Sequence, residues 1–525
     1  VIHSREYPFD KFPMPLLVSI GESLDPFRTM YQSRYPHVSV TQLKHHCSRY
    51  FGTKGLGVHW IPTCLDYPHT FLSTLYMASA HHDVVRRLEV ESIETIALRQ
   101  DIIHFVGGNL TDPEQSVADH QIVAVSQLIL GEVISRNEIS LKYHQAGMET
   151  MIKHRGGLKE LGMKGHLASA VSWAHLATSI LQEVRPSPMY AEYCAKRADK
   201  IYQATTTIPE SPLYCPHGRY FTLERSRDCK PDALRLINEV RVLIAVFLQE
   251  TKQGRPNSDK LVTLYKCITT QFPSIQDLRR GNVLRESDWR YEAIRIAAVV
   301  QANAIINKTP LSEALEHMQT PIQPPSLYTS SIASHSNDSL VSPFDIRNET
   351  PVTEYSASPS FSIHGATHQP GFPFNGHRDS NASARSFTST QHPSVASLQS
   401  TSSEIFPWSR PAPAATESNI LADLKDALEK SNLSECWSDM AGVLLWIGLV
   451  MGAASNPKHH DTVLRRYFSA TTMRACIMLC FEHPEAIHAT MLKMTEVVEA
   501  LSKDGKGQMV RKENEGSRKR AKASV

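Results

Sequence analysis

Metal ligation is the first chemistry to test, because imidazole, thiol and carboxylate groups stand side by side at three places: His45-His46-Cys47, His81-His82-Asp83 and His459-His460-Asp461. A structural zinc site takes four tetrahedral ligands, usually supplied by two tight pairs. None of the three clusters offers that spacing. Cys476 and Cys480 form a single i, i+4 pair around the apolar run Ile477-Met478-Leu479, and buried free cysteines are the simpler reading. No metal site and no cofactor is assigned to the chain. Nucleophilic and phosphate chemistry fare no better, since there is no Gly-x-Ser-x-Gly elbow, no Gly-x-x-x-x-Gly-Lys loop and no Gly-x-Gly-x-x-Gly turn. Scattered histidines are the one support for an enzyme with a pocket between helices, because catalytic residues can converge from distant positions. The chain is read as not an enzyme, with no catalytic residue.

Two further groupings could bind anions. In the run Tyr143-His144-Gln145-Ala146-Gly147-Met148-Glu149-Thr150-Met151-Ile152-Lys153-His154-Arg155-Gly156-Gly157-Leu158, His144 and Arg155 could be paired on a ligand. The plainer reading is a helix with Gly147, Met148, Met151 and Ile152 inward. It has a close helix crossing at Gly147 and ends at Gly156, where glycine tolerates the left-handed C-terminal geometry. The other grouping is Arg518-Lys519-Arg520-Ala521-Lys522, preceded by Arg511-Lys512. Such a run suits an acidic groove on an import receptor or nucleic-acid phosphates, against the alternative of a solubilising charge run. Arg518, Lys519, Arg520 and Lys522 are the nuclear-import candidates.

The elements that must position these groups are bounded by composition. With 525 residues the chain is long enough for one large or two smaller folded units. The 55 Lys and Arg nearly cancel the 53 Asp and Glu, leaving +2, so nothing marks the whole surface as a nucleic-acid or membrane binder. Nine cysteines, an odd number and widely scattered, argue against a disulfide framework and fit a reducing compartment. The sequence starts Val1-Ile2-His3 with neither an initiator methionine nor an apolar leader, which suggests a fragment or processed product and gives no support to secretion. Without a leader, the sequons at Asn109 and Asn348 read as chance matches. The most apolar stretch, residues 440–454, is about 15 residues, short of the roughly 20 that span a bilayer. It reads as a buried core helix, and no membrane partner is expected.

Periodicity points to an all-α fold. Residues before about 115 mix Pro, aromatic and His residues and read as loops leading into helices. Beyond them, apolar residues recur at helical spacing: Trp173, Leu176, Ala177, Ile180 and Leu181, with Pro186 and Pro188 as stops; Leu236, Ile237, Val240, Leu243, Ile244, Phe247 and Leu248 after Pro231; Ile122, Val125, Ile129 and Val133; and the Ala, Ile and Val residues of 289–306. No lysine occurs from 309 to 424, and residues 326–418 hold 22 serines in 93 positions, a composition that cannot bury enough surface to offset the entropy of ordering. Periodicity returns at Asn419, through Leu421, Leu424 and Leu428. The expected organisation is a helical domain over 1–308, a disordered Ser/Pro-rich insertion over 309–418, the second part of the helical domain over 419–501, and a basic disordered tail over 502–525. Ser342-Pro343, Thr350-Pro351 and Ser358-Pro359 in the insertion could accept proline-directed phosphate.

The pattern His144-x-x-Gly147-Met148-x-x-Met151-Ile152-x-x-Arg155-Gly156-Gly157-Leu158-x-x-Leu161 resembles the signature helix of the regulatory, middle-homology type domain of fungal-specific zinc-cluster transcription factors. Leu24-Asp25-Pro26-Phe27 and Ala97-Leu98-Arg99 resemble that family's entry region, Trp173 before Arg185-Pro186 its tryptophan helix, and Tyr291 to Ala298 and Val443 to Ile447 its later helices. The resemblance implies a transcriptional regulator of RNA polymerase II genes, resident in the nucleus, whose partners are the transcription machinery or co-regulator proteins. Members commonly carry a six-cysteine binuclear zinc cluster that binds DNA. This sequence contains no such cluster, so zinc enters only if one lies upstream of Val1, and DNA is contacted indirectly or through another module. The alternative is a helical scaffold or co-regulator without DNA binding. Apolar helix faces are compatible with a homodimer as well as with an internal core.

Overall fold

The computed structural model describes residues 31–198, 202–254, 258–278, 283–319, 419–456 and 460–502. Among them the fold is all-α: nineteen α-helices and no strand, with a lone bridge between Ser211 and Tyr214. The serine-rich segment 320–418, Leu24 to Phe27 and the basic tail with Arg518, Lys519, Arg520 and Lys522 lie outside the described residues.

The early chain departs from the expected loops. Helices begin at Val40 with α1 (Val40–Phe51), followed by α2 (Lys54–His59), α3 (Ile61–Asp66), α4 (Pro68–Val85) and α5 (Ile93–Asn109). Helix α4 is buried on nearly every face, which erases the polar stripe that periodicity needs. Its hydroxyls bond to nearby carbonyls and to side chains of neighbouring helices instead of to water. Thr70 Oγ1 donates to Tyr67 O at 2.8 Å and Ser73 Oγ to Thr70 O at 2.9 Å, so polar residues are tolerated in the core.

Helices α6 (Asp119–Ser135), α7 (Glu138–His154) and α8 (His166–Leu181) follow, and then the short α9 (Pro188–Ala195) and α10 (Phe221–Arg225). Helix α6 packs along α4, and α7 along α6. Helix α8 stops at Leu181, ahead of Pro186. Its stop is Glu183, in the left-handed region at φ 53°, from which the carboxylate accepts from Leu311 N at 2.6 Å on another helix.

Next come α11 (Pro231–Lys252), α12 (Asp259–Thr270), α13 (Ile275–Leu278) and α14 (Glu286–Asn307). On α11 the buried residues are Ala233 and the stripe Leu236, Ile237, Val240, Leu243, Ile244, Phe247 and Leu248, with Pro231 in the first turn. This amphipathic face covers α12 and α14. Helical structure then continues past residue 308, where an insertion was expected to begin. Helix α15 (Leu311–Gln319) buries Leu311, Ala314 and Leu315 and leaves Met318 half-buried against the core, an i, i+3, i+4, i+7 face that the absence of lysine does not reveal.

After residue 418 the chain re-enters the same body. Asn419 caps α16 (Ile420–Lys430) by accepting from Ala422 N at 3.2 Å, and Leu421, Leu424 and Leu428 seat it on α14. Helix α17 (Ala441–Ala454) is buried along its whole length against α8, α14, α15 and α18 (Thr462–Cys480), and α19 (Pro484–Leu501) closes over α8. Trp446 Nε1 donates to Gln301 Oε1 at 2.8 Å, joining α17 to α14 across the core. No helix among the described residues is long and apolar enough to cross a membrane.

Candidate functional site

Asn137 starts α7 by accepting from Ser140 N at 3.3 Å, and Leu141, Met148 and Ile152 form its buried edge. Met151 is only half-buried. Gly147 does not mark a close crossing: a Cβ built there would meet nothing within 4 Å. The residue sits on the flank of the buried edge, where a glycine and a small side chain fit equally. The stop is different. Gly156 and Gly157 take φ of 101° and 106°, and their N–H groups donate to Lys153 O at 3.1 Å and Ile152 O at 2.8 Å, the two bonds of a Schellman motif. Leu158, directly after, is buried. The Gly-Gly-Leu run is thus a backbone device that turns the chain under α7.

Arg155 and His144 do not converge on a ligand. They stand eleven residues apart, roughly 16 Å along the helix, and each faces a carboxylate. Arg155 Nη2 lies 3.6 Å from Asp119 Oδ1, and Asp119 Oδ2 also accepts from Gly162 N at 3.0 Å, which ties the turn after α7 to the start of α6. His144 Nδ1 lies 3.9 Å from Glu132 Oε1.

Glu132 is the centre of a sealed charge cluster. It is fully buried on α6, with Arg99 Nε of α5 at 2.9 Å; Arg99 also pairs with Glu91. Arg99 Nε–H is directed at Tyr76 Oη of α4 at 3.1 Å, so the Glu132 oxygens lie beside the guanidinium without an aligned hydrogen bond. Burial therefore outweighs the neighbouring cation and pushes the Glu132 carboxyl up to about 7. Burial, aided by Arg99, lowers His144 below the usual histidine range. The Tyr76 ring fits because residue 131 has no side chain: a Cβ on Gly131 would come within 2.2 Å of it.

The histidine clusters meet in a way their sequence positions did not disclose. Helix α1 packs on α4, bringing His46 Nε2 to 2.9 Å from His81 Nδ1 and the His46 ring centroid to 4.7 Å from that of His82. Asp83 turns away, accepting from Thr95 Oγ1 at 2.7 Å and Ser92 N at 2.9 Å. Burial, then the neighbouring His82 and Arg474, lower His46 to about 3, and burial, then the neighbouring His46 and Arg474, lowers His81 well below its usual range. Both imidazoles are neutral at neutral pH, one ring donating to the other. A second pair, His69 Nε2 and His120 Nδ1 at 2.8 Å, has the same form, with Tyr67 stacked on His120. These are hydrogen-bonded cross-links between helices. Among the described residues no three His, Cys, Asp or Glu side chains are grouped to hold a metal. Asp461 of the third cluster caps α18 through Val463 N at 2.7 Å, and His459 lies outside the described residues. All nine cysteines are free, and burial raises Cys476 and Cys480 far above the ordinary thiol range.

The other resembling passages among the described residues contribute core positions. Ala97 and Leu98 are buried on α5, Trp173 on α8, and Val443 to Ile447 on α17. Compared with known protein families, with curated proteins and with solved structures, the chain matches none.

Proposed function

We propose that the chain is the helical regulatory part of a fungal-type transcription factor, acting in the nucleus on RNA polymerase II transcription through the transcription machinery or a co-regulator. The observation that carries this reading is the spaced run from His144 to Leu161. Support comes from its local completeness. The run covers the C-terminal three turns of α7, its two-glycine stop and the turn beyond, and its first histidine and its arginine each face a carboxylate of α6. A regulatory domain of this kind needs a packed body that presents surfaces, and DNA contact is left to another module, such as a six-cysteine zinc cluster encoded upstream of Val1.

The test is to fuse the chain to an unrelated DNA-binding domain above a reporter gene in a fungal host, and to follow a fluorescent tag in the same cells. The expected result is a nuclear signal, reduced when Arg518, Lys519, Arg520 and Lys522 are changed to alanine, and a reporter output several-fold above or below that of the DNA-binding domain alone. An unchanged reporter, with the fusion nuclear and intact, would sink the proposal and leave a scaffold.

A further inference from the structure

Four arginines are almost wholly buried: Arg290, Arg465, Arg466 and Arg474, between 2% and 8% exposed. Three of them have a carboxylate within reach. Arg290 lies 3.0 Å from Asp228, Arg465 2.9 Å from Glu138, and Arg466 3.9 Å from Asp83. Arg474 has none among the described residues. Its Nε donates to Tyr50 O at 3.0 Å and its Nη2 to Ser434 O at 2.8 Å, and its guanidinium lies over the Tyr50 ring, 5.1 Å from the centroid. Two carbonyls and a ring face hold the group in place without neutralising it. A buried, unneutralised cation is costly unless an anion can reach it.

An anion can reach it, because Arg474 forms part of the wall of a cavity of about 270 Å³. Tyr467, Ala470, Thr471 and Arg474 line it from one face of α18, and Tyr50, His81 and Val84 from α1 and α4. Leu433 and Leu444 add apolar surface. A second polar group is also unmet: the Tyr467 hydroxyl is buried and has no hydrogen-bond partner. Arg87 and Glu429 also line the cavity and pair there, Nη2 to Oε2 at 3.0 Å, with Lys425 Nζ 3.0 Å from Glu429 Oε1. With His81 neutral, the charges around the cavity sum to a positive site. The lining combines a fixed guanidinium and a free phenol with apolar and aromatic walls, the composition of a small-molecule pocket.

From this geometry we propose that the cavity binds a small organic carboxylate with a compact apolar body, its head on Arg474 and Tyr467 and its body between Tyr50, His81, Leu433 and Leu444. A guanidinium fixed by carbonyls keeps donors for a carboxylate at no further ordering cost. The apolar walls exclude bare inorganic anions as the preferred ligand, since those would lose hydration without gaining contact. The proposal does not depend on the transcriptional reading.

The test is calorimetric titration of the full chain with 2-naphthoate, with the neutral 2-naphthalenemethanol and with inorganic phosphate. Naphthoate should bind one to one, about tenfold or more tighter than either of the others, consistent with one charge-assisted contact. Tyr467→Phe removes the phenol without removing any hydrogen bond within the chain, and Val85→Glu puts a negative charge on a lining residue that is 45% exposed. Each should weaken naphthoate about threefold to tenfold with the unliganded melting temperature nearly unchanged. Arg474→Gln should abolish binding. Should that variant fail to fold by circular dichroism, the other two decide. No saturable binding of naphthoate, equal binding of the alcohol, or full affinity in both Tyr467→Phe and Val85→Glu would each overturn the proposal.

Discussion

Arg99 and Arg474 put the same side chain in similar places, each over a tyrosine ring and each beside α4, with guanidinium-to-centroid distances of 5.5 Å at Tyr76 and 5.1 Å at Tyr50. Their partners differ. Arg99 is matched by Glu132 and Glu91 in a closed cluster that also holds His144, whereas Arg474 is matched by carbonyls alone and borders a cavity. The first arrangement sets its cation against carboxylates of the protein itself, although the Glu132 oxygens lack an aligned hydrogen bond. The second keeps a charge in reserve. Burial of an arginine is therefore uninformative by itself, and what distinguishes a structural lock from a recognition group is whether the protein supplies the counter-charge.

Breaking the closed cluster should have the largest effect. Arg99→Met keeps most of the side-chain volume but leaves Glu132 and Glu91 without their cation, and the expected loss is about 3 to 5 kcal/mol of unfolding free energy in urea titration. Because Glu132 can escape the penalty by taking up a proton, the loss should be larger at pH 8 than at pH 6. A loss under about 1 kcal/mol at both pH values would mean that the cluster is solvated and not a lock.

Buried histidines and buried glutamates respond to acid with opposite signs. His46, at about 3, and His69, His175 and His488, each at about 4, have folded values below the unfolded one. The unfolded chain therefore binds more protons below about pH 6.5, and each such histidine costs on the order of 2 kcal/mol of stability by pH 5. Glu132 and Glu210, both raised to about 7, act the other way. Their folded forms hold protons that the unfolded chain releases, so their contribution grows as pH falls from 7 towards 4.5. The histidines outnumber them, and the net expectation is a fall of a few kcal/mol between pH 7 and pH 5. Chemical denaturation across that range measures it, and a flat or rising stability would show that the imidazoles are not held neutral.

How much of this could be read from the sequence depends on how each helix is exposed. Helix α11 has one wet face, so Leu236 to Leu248 announce it. Helix α4 has almost none, and a segment buried all round carries no period to read, whereas α17, equally buried, is announced by its unbroken apolar run. The glycine pair after Arg155 was legible as a stop because two glycines follow the last apolar position of the helix. Gly147 was misread as a crossing, since a mid-helix glycine looks the same on a packed face as on a flank. The sites were less legible than the fold. His46 and His81 meet only through the packing of α1 on α4. Nothing in the run Tyr467 to Arg474 shows that three of the four buried arginines are supplied with a carboxylate and the fourth is not.

A smaller effect is expected at the stop of α7, the helix that carries His144 to the closed cluster. Gly156→Ala must hold alanine at φ 101°, outside the comfortable range of an L side chain, and should cost about 1 to 2 kcal/mol. Gly147→Ala is the internal control. It meets open space in a helix interior and should gain about 0.5 to 1 kcal/mol from helix propensity. Equal effects at the two glycines would show that the stop is not held by its backbone geometry.

The smallest change tests the open region at its weakest point. Tyr467→Phe deletes one oxygen that is buried and unbonded in the unliganded protein. A hydroxyl in that state contributes a desolvation cost and no compensating bond, so its removal should leave stability unchanged or raise it by up to about 1 kcal/mol. The corresponding deletion in the closed region, Tyr76→Phe, removes the acceptor at which Arg99 Nε is aimed and should be destabilising by about 1 kcal/mol or more. Paired denaturation curves of the two variants therefore put the comparison on one scale. If both substitutions destabilise alike, the Tyr467 hydroxyl has a partner in solution and the cavity loses one of its two polar anchors. If they differ in sign, the protein keeps a polar group on the cavity wall at a cost to its own stability, which a purely structural wall gives no reason to retain.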